Sequence, residues 1–276
     1  YNKVKLNHLF MRNIENNNIC LVFIHGFCSG PDDWNKQIDY FQDNIHVIAP
    51  ILRGHDGKNI SDLPMSIEQL TNDCEKIIKQ QESQFFIFVG HSMGTRVAIN
   101  LCQRIKDQTL GLVLIDGSKI SDIDTYGKTI SNFENTIYYG SYKRELRKMF
   151  NEMFFDKQYD KHKKRIIKRA INIPSSFSLP LRRNLIWFDS HCLDKLLSGI
   201  HIPILVMQST KLDKKGKRRP IKKDKNIFYI EYIQSLCDNV ETKVFNNTGH
   251  YIALEKPDLV NSAIFQWINK IKSSPK

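Results

Sequence analysis

Short, almost wholly apolar runs recur along the chain, and each leads into a stretch whose apolar residues fall three or four apart. Cys20-Leu21-Val22-Phe23-Ile24, His46-Val47-Ile48-Ala49-Pro50, Phe85-Phe86-Ile87-Phe88-Val89 and Leu110 through Ile115 read as buried strands. Between them the spacing predicts a helix through Trp34, Ile38 and Phe41. A second helix carries Ile67, Leu70, Cys74, Ile77 and Ile78 on one face, and Ser66 with Gln69 makes a capping box at its start. A third covers Thr95 to Leu101. Strands this continuously apolar need cover on both faces, which helices supply in a parallel sheet. The fold class is therefore α/β.

The alternation stops after Asp116-Gly117. From about Lys119 to Ser198 the pattern is helical, rich in aromatic residues, and broken at Pro174 and Pro180. It resumes with the strand Pro203 to Gln208, a helix around Ile227 to Cys237 and a last strand, Thr242 to Phe245. A C-terminal helix opens at Pro257 and buries Leu259, Val260, Ile264, Trp267 and Ile268. Residues 1–118 and 199–276 are thus expected to form one core, and residues 119–198 a helical cap inserted over the sheet.

One strand delivers a distinctive pentapeptide, Gly90-His91-Ser92-Met93-Gly94, with a helix directly behind it. A G-x-S-x-G sequence between strand and helix is the context of a nucleophile elbow. The tight turn lifts the Ser92 hydroxyl clear of the sheet, and small residues at positions 90 and 94 relieve the crowding. A serine hydroxyl attacks a carbonyl only when a base takes its proton. His250, after the last strand in Asn247-Thr248-Gly249-His250, is the expected base. A carboxylate should orient that imidazole. Asp213, after the strand ending at Gln208, gives the chain order Ser, Asp, His; Asp116, at the tip of the preceding strand, is the rival. The backbone N–H groups of Phe27, in His25-Gly26-Phe27, and of Met93 are the candidate oxyanion donors.

Composition narrows the setting. The 276 residues are 41% hydrophobic and 25% charged, and no apolar run is long enough to span a membrane. Six scattered cysteines without a C-x-x-C pair suit reduced thiols in a cytoplasmic protein. The net charge of +12 is unevenly placed, with nine Lys or Arg between Lys211 and Lys225 and seven between Lys157 and Arg169. Solvated lysine explains most of it, leaving room for weak attraction to anionic surfaces. No motif or aromatic interleaving points to nucleic acid.

Taken together, His25-Gly26-Phe27 with Asp33-Trp34, Arg53-Gly54-His55, the Ser92 pentapeptide, Pro203 through Asp213 and Gly249-His250 resemble the α/β-hydrolase superfamily, in particular its small lidded serine hydrolases. The resemblance implies an eight-stranded, mostly parallel sheet, a helical cap between the sixth and seventh strands, and no cofactor. It supports the triad Ser92, Asp213 and His250, with Phe27 and Met93 as oxyanion donors. Four departures stand out: Ile51 and Asp56 in the Arg53-Gly54-His55 loop, Thr95 after the elbow, Ser209 where a glycine is usual, and the basic stretch Lys214 to Arg219 after Asp213. The expected activity is hydrolysis of a small apolar carboxylic ester. Thioesterase, lactonase and carbon–carbon bond hydrolase chemistry use the same triad, and a slow, ligand-sensing homologue would keep it too.

Overall fold

The apolar runs become the strands of one parallel sheet. The computed structural model describes residues 16–57, 64–213, 216–223 and 226–273. In chain order the elements are β1 (Ile19–Ile24), α1 (Asn35–Phe41), β2 (His46–Ile48), α2 (Ile67–Ile78), β3 (Phe85–His91), α3 (Gly94–Arg104) and β4 (Thr109–Ile115). Five helices then intervene: α4 (Tyr126–Tyr138), α5 (Tyr142–Asn151), α6 (Asp160–Asn172), α7 (Ser175–His191) and α8 (Leu193–Ser198). The chain closes with β5 (Ile204–Gln208), β6 (Thr210–Leu212), β7 (Arg218–Pro220), α9 (Phe228–Leu236), β8 (Val240–Val244), α10 (Ile252–Glu255) and α11 (Pro257–Ser273).

The sheet order is β2-β1-β3-β4-β5-β8, with every pairing parallel. Among the described residues it has six strands, not the eight implied by the resemblance. The polar stretch from Tyr1 to Glu15, where further N-terminal strands would arise, lies outside the described residues. The two short strands β6 and β7 pair antiparallel as a separate hairpin, so they do not extend the sheet.

Alternate residues of each strand feed two cores. Cys20, Val22, Ile24, Phe86 and Phe88 pack with α2, α3 and the inserted helices. Ile19, Leu21, Phe23, Ile87 and Val89 pack on the other face with Trp34, Phe41 and the α11 residues Val260, Ile264, Trp267 and Ile268. Both faces are dry, which is why these strands carry almost no polar residue. Trp267 crosses β4 closely: a Cβ at Gly111 would lie 2.5 Å from its ring. Among the described residues no helix is long and apolar enough to cross a membrane.

Two local expectations are revised. Ser66 caps α2 as expected, its Oγ accepting from Gln69 N at 3.1 Å, but the Gln69 side chain donates to Asp73 instead of closing the box. Pro180 does not break a helix; it sits inside α7. An interior proline costs about 3 kcal/mol, whereas each large apolar side chain buried recovers about 1.5–3 kcal/mol. Phe177, Leu181, Leu185 and Phe188 are all buried on α7, so packing carries the helix through.

Candidate active site

Ser92 lies in the turn between β3 and α3 with φ 55°, a left-handed conformation that a non-glycine residue adopts only under constraint. The constraint is visible on both flanks. A Cβ at Gly90 would lie 2.5 Å from Gly94 O, and one at Gly94 would lie 2.3 Å from Ile24 O. Ser92 N donates to Ile115 O at 3.0 Å, binding the turn to the end of β4. Its carbonyl accepts from Thr95 Oγ1 at 2.7 Å and from Arg96 at 3.0 Å, so the threonine that departs from the family pattern braces the elbow. The turn leaving β1 comes close: a Cβ at Gly26 would sit 3.1 Å from Ser92 Cβ. That approach brings Phe27 and Met93 to the same cavity as Ser92.

His250 is 1% exposed and held at both backbone ends. Its N–H donates to Met153 O at 2.8 Å, and its carbonyl accepts from His91 Nε2 at 3.0 Å. Its Nδ1 lies 2.6 Å from Asp116 Oδ2. The carboxylate can only accept there, so Nδ1 carries the proton and Nε2 keeps its lone pair. Burial, then the nearby Arg218 charge, pull the imidazole pKa down to about 4 against the opposing pull of Asp116. At neutral pH the ring is an uncharged base.

The expectation that Asp213 orients His250 is corrected. Gln208 does not lead into an open acid loop; Thr210 to Leu212 run on as β6, and Asp213 closes the hairpin turn. Its carboxylate accepts from Lys217 N at 3.0 Å and from Arg219 Nε at 2.9 Å. Asp116 has the geometry instead. It sits at the tip of β4 with φ 44° and is wholly buried. Oδ1 accepts from Ser209 N and Thr210 N, both at 2.7 Å, and Ser209 Oγ stands 3.0 Å away. Oδ2 accepts from Thr210 Oγ1 at 2.5 Å, His250 Nδ1 at 2.6 Å and Arg218 at 3.1 Å. Burial alone would raise this carboxyl's pKa, but the His250 hydrogen bond and the Arg218 charge outweigh it and hold the value at about 2. A glycine at 209 would offer the same N–H to Asp116; the Ser209 hydroxyl adds a bridge, lying 3.0 Å from Asp116 Oδ1 and 2.7 Å from Gly249 O beside His250.

Sequence reasoning did not single out the arginines around this site. Arg96, 2% exposed, pairs with the fully buried Asp189 of α7 at 2.9 and 2.7 Å. Asp189 also accepts from Ile120 N at 2.8 Å, so one carboxylate joins the elbow helix, the exit of β4 and the inserted helices. Farther along, Arg165 and Arg169 of α6 clasp Asp32 and Asp33, giving part of one basic stretch a structural role. Between the sheet edge and the inserted helices lies a cavity of about 590 Å³ lined by Ser92, His250, Phe27, Met93 and Asp213. Apolar Met149, Phe150 and Leu185 share its wall with Arg182, Lys217 and Arg218, so the pocket is less uniformly apolar than the sequence suggested. Among the described residues no group of three or more His, Cys, Asp or Glu could hold a metal ion.

Known proteins share this architecture. MenH from S. aureus superposes with a TM-score of 0.73 at 21% identity, covering 95% of this chain and 97% of that one. An esterase from Thermogutta terrifontis superposes at 0.71 with 18% identity, covering 94% and 92%. In sequence, a Haemophilus influenzae protein provisionally named an esterase/lipase is 22% identical over 91% of this chain and 83% of its own length. The sequence pattern of the alpha/beta hydrolase family matches residues 21–263, and the chain belongs to that family.

Proposed function

We propose that this protein is a serine hydrolase that cleaves a carboxylic ester through an acyl-enzyme, with Ser92, His250 and Asp116 as its triad. The observation that carries the reading is the 2.6 Å contact between His250 Nδ1 and the buried Asp116, made beside a serine on a strained elbow. His250 Nε2 takes the proton of Ser92 as Oγ adds to the ester carbonyl. The Phe27 and Met93 N–H groups receive the developing oxyanion. The imidazolium, stabilised by Asp116, then protonates the leaving alcohol, and water removes the acyl group by the same steps in reverse roles. Residues 119–198 act as the cap, with Met149, Phe150 and Leu185 meeting the apolar part of the substrate. All six cysteines are free and five are buried, which supports the cytoplasmic setting.

The test is a fluorophosphonate probe followed by peptide mapping, alongside matched ester, thioester and lactone substrates. A single adduct on Ser92, absent in His250→Ala, is expected, with the ester turned over fastest. A folded protein that labels elsewhere or not at all refutes the mechanism. Faster thioester or lactone cleavage reassigns the bond and keeps the triad.

A further inference from the structure

Among the described residues, the charges that line the cavity do not all find partners. Four cations reach it, Arg96, Arg182, Lys217 and Arg218, against the carboxylates of Glu152 and Asp213. Arg96 is paired with Asp189, Arg218 with Asp116, and Lys217 with Glu152 at 3.2 Å. Asp213 is engaged by Arg219. Arg182 is different: among the described residues its guanidinium makes no ion pair and no hydrogen bond.

Its position is not accidental surface. Arg182 lies on α7 seven residues before Asp189, so the two share one helix face. Asp189 is bonded to Arg96 on the elbow helix, which turns that face toward Ser92. Leu185, one turn along, lines the same cavity. Arg182 is half-buried, and this partial burial lowers its pKa from the ordinary value against the opposing pull of Tyr142 and Asp189. A half-buried cation without an ion-pair partner, facing a partly enclosed cavity, favours a negative group there.

We propose that the cavity binds an ester bearing a carboxylate, and that Arg182 receives this group while Ser92 attacks the ester carbonyl. The proposal rests on the serine hydrolase reading above. The guanidinium fork fits carboxylate and phosphate alike. A single unpaired cation balances one negative charge, which favours a carboxylate over a dianionic phosphate. Arg182 is then a specificity-determining residue: it selects the anionic ester among others that the same triad can cleave.

Two matched pairs test this. The first is p-nitrophenyl hydrogen glutarate against p-nitrophenyl valerate, with the charge on the acyl side. The second is 4-acetoxybenzoate against 4-acetoxybenzamide, with the charge on the leaving group. In the wild type, kcat/KM for the anionic member of at least one pair should exceed that of its neutral partner by about tenfold, the effect of one charged hydrogen bond. Arg182→Met should abolish that ratio and Arg182→Lys should restore part of it. Equal rates within both wild-type pairs, or a ratio unmoved in Arg182→Met, overturn the proposal. Binding of monomethyl glutarate to Ser92→Ala, read by calorimetry, separates the two ideas. Binding that needs Arg182, without turnover of any ester or labelling of Ser92, refutes the hydrolase reading alone. Absence of binding refutes the anion site, and tighter binding of inorganic phosphate overturns the choice of carboxylate.

Discussion

Replacing Asp116 with asparagine changes two atoms and should nearly silence the proposed mechanism. At Oδ1 the side chain faces two fixed backbone donors, Ser209 N and Thr210 N, so the amide must keep its oxygen there. Its NH2 then occupies the Oδ2 position, facing Thr210 Oγ1, the Arg218 guanidinium and His250 Nδ1. Two donors cannot share a hydrogen bond, so the imidazole shifts its proton from Nδ1 to Nε2. Nε2 is the atom that must accept from Ser92, and its lone pair is lost. The wrong tautomer in a serine triad costs about 10⁴ in rate, or about 5.5 kcal/mol of barrier. The assay is ester hydrolysis together with the rate of fluorophosphonate labelling, with thermal unfolding to establish that the variant is folded. Asp213→Asn removes the carboxylate charge that meets Arg219, with no contact to His250 among those of its carboxylate described above, and should show a small fraction of that loss. A folded Asp116→Asn that keeps more than about a tenth of the activity, with Asp213→Asn inactive, would refute the reasoning.

Three further outcomes follow from the same surroundings. Arg218→Gln removes a cation that lowers the His250 pKa, leaving Asp116, Arg96, His91 and Tyr251 as its charged and titratable neighbours, so the acid limb of kcat/KM, set near pH 4 in the wild type, should move to higher pH; a limb that stays or moves down contradicts this. Asp189→Asn strands the buried Arg96 charge and should cost about 3–5 kcal/mol in urea unfolding, while Arg96→Met combined with Asp189→Leu should recover much of it. Glu255, buried beneath Gly249 N at 2.9 Å, has its pKa raised by burial from 4.5 to about 7. The folded state therefore binds more protons than the unfolded chain between these values, so wild-type stability falls as pH rises through that window, by up to about 3 kcal/mol. Glu255→Gln should flatten that part of the stability curve, and an unchanged slope between pH 5 and 8 would contradict the assignment.

What the sequence disclosed depended on how local the signal was. The sheet and the elbow were legible because each is written in adjacent residues: apolar runs buried on both faces, and Gly90 and Gly94 around a strained serine. The proposed base, His250, was legible as a candidate from its place after the last strand. Its carboxylate partner was not, because Asp116 and Asp213 both follow strands, and the deciding facts are spatial. Thr210 to Leu212 fold into a hairpin whose Lys217 N and Arg219 engage the Asp213 carboxylate, while Ser209 and Thr210 turn their N–H groups onto Asp116. Pro180 misled for a related reason, since the tertiary burial of α7's own side chains, Phe177, Leu181, Leu185 and Phe188, outweighs its local cost. The buried Arg96 and Asp189 lie 93 positions apart, a separation across which no periodicity carries information.

The same ion pair divides the inserted helices into two evolutionary regimes. Moving α7 independently of α3 would expose or strand a fully buried carboxylate, so these helices travel as one body. Helix α4 is under no comparable obligation: it has no buried residue, and its salt bridge to α7, Glu134 with Arg183, is exposed at both ends. Thr129 and Asn132 of α4 nonetheless line the cavity. Mutational drift can therefore reshape the pocket from α4 at little cost in stability, and a directed-evolution library aimed at new substrates belongs on that helix.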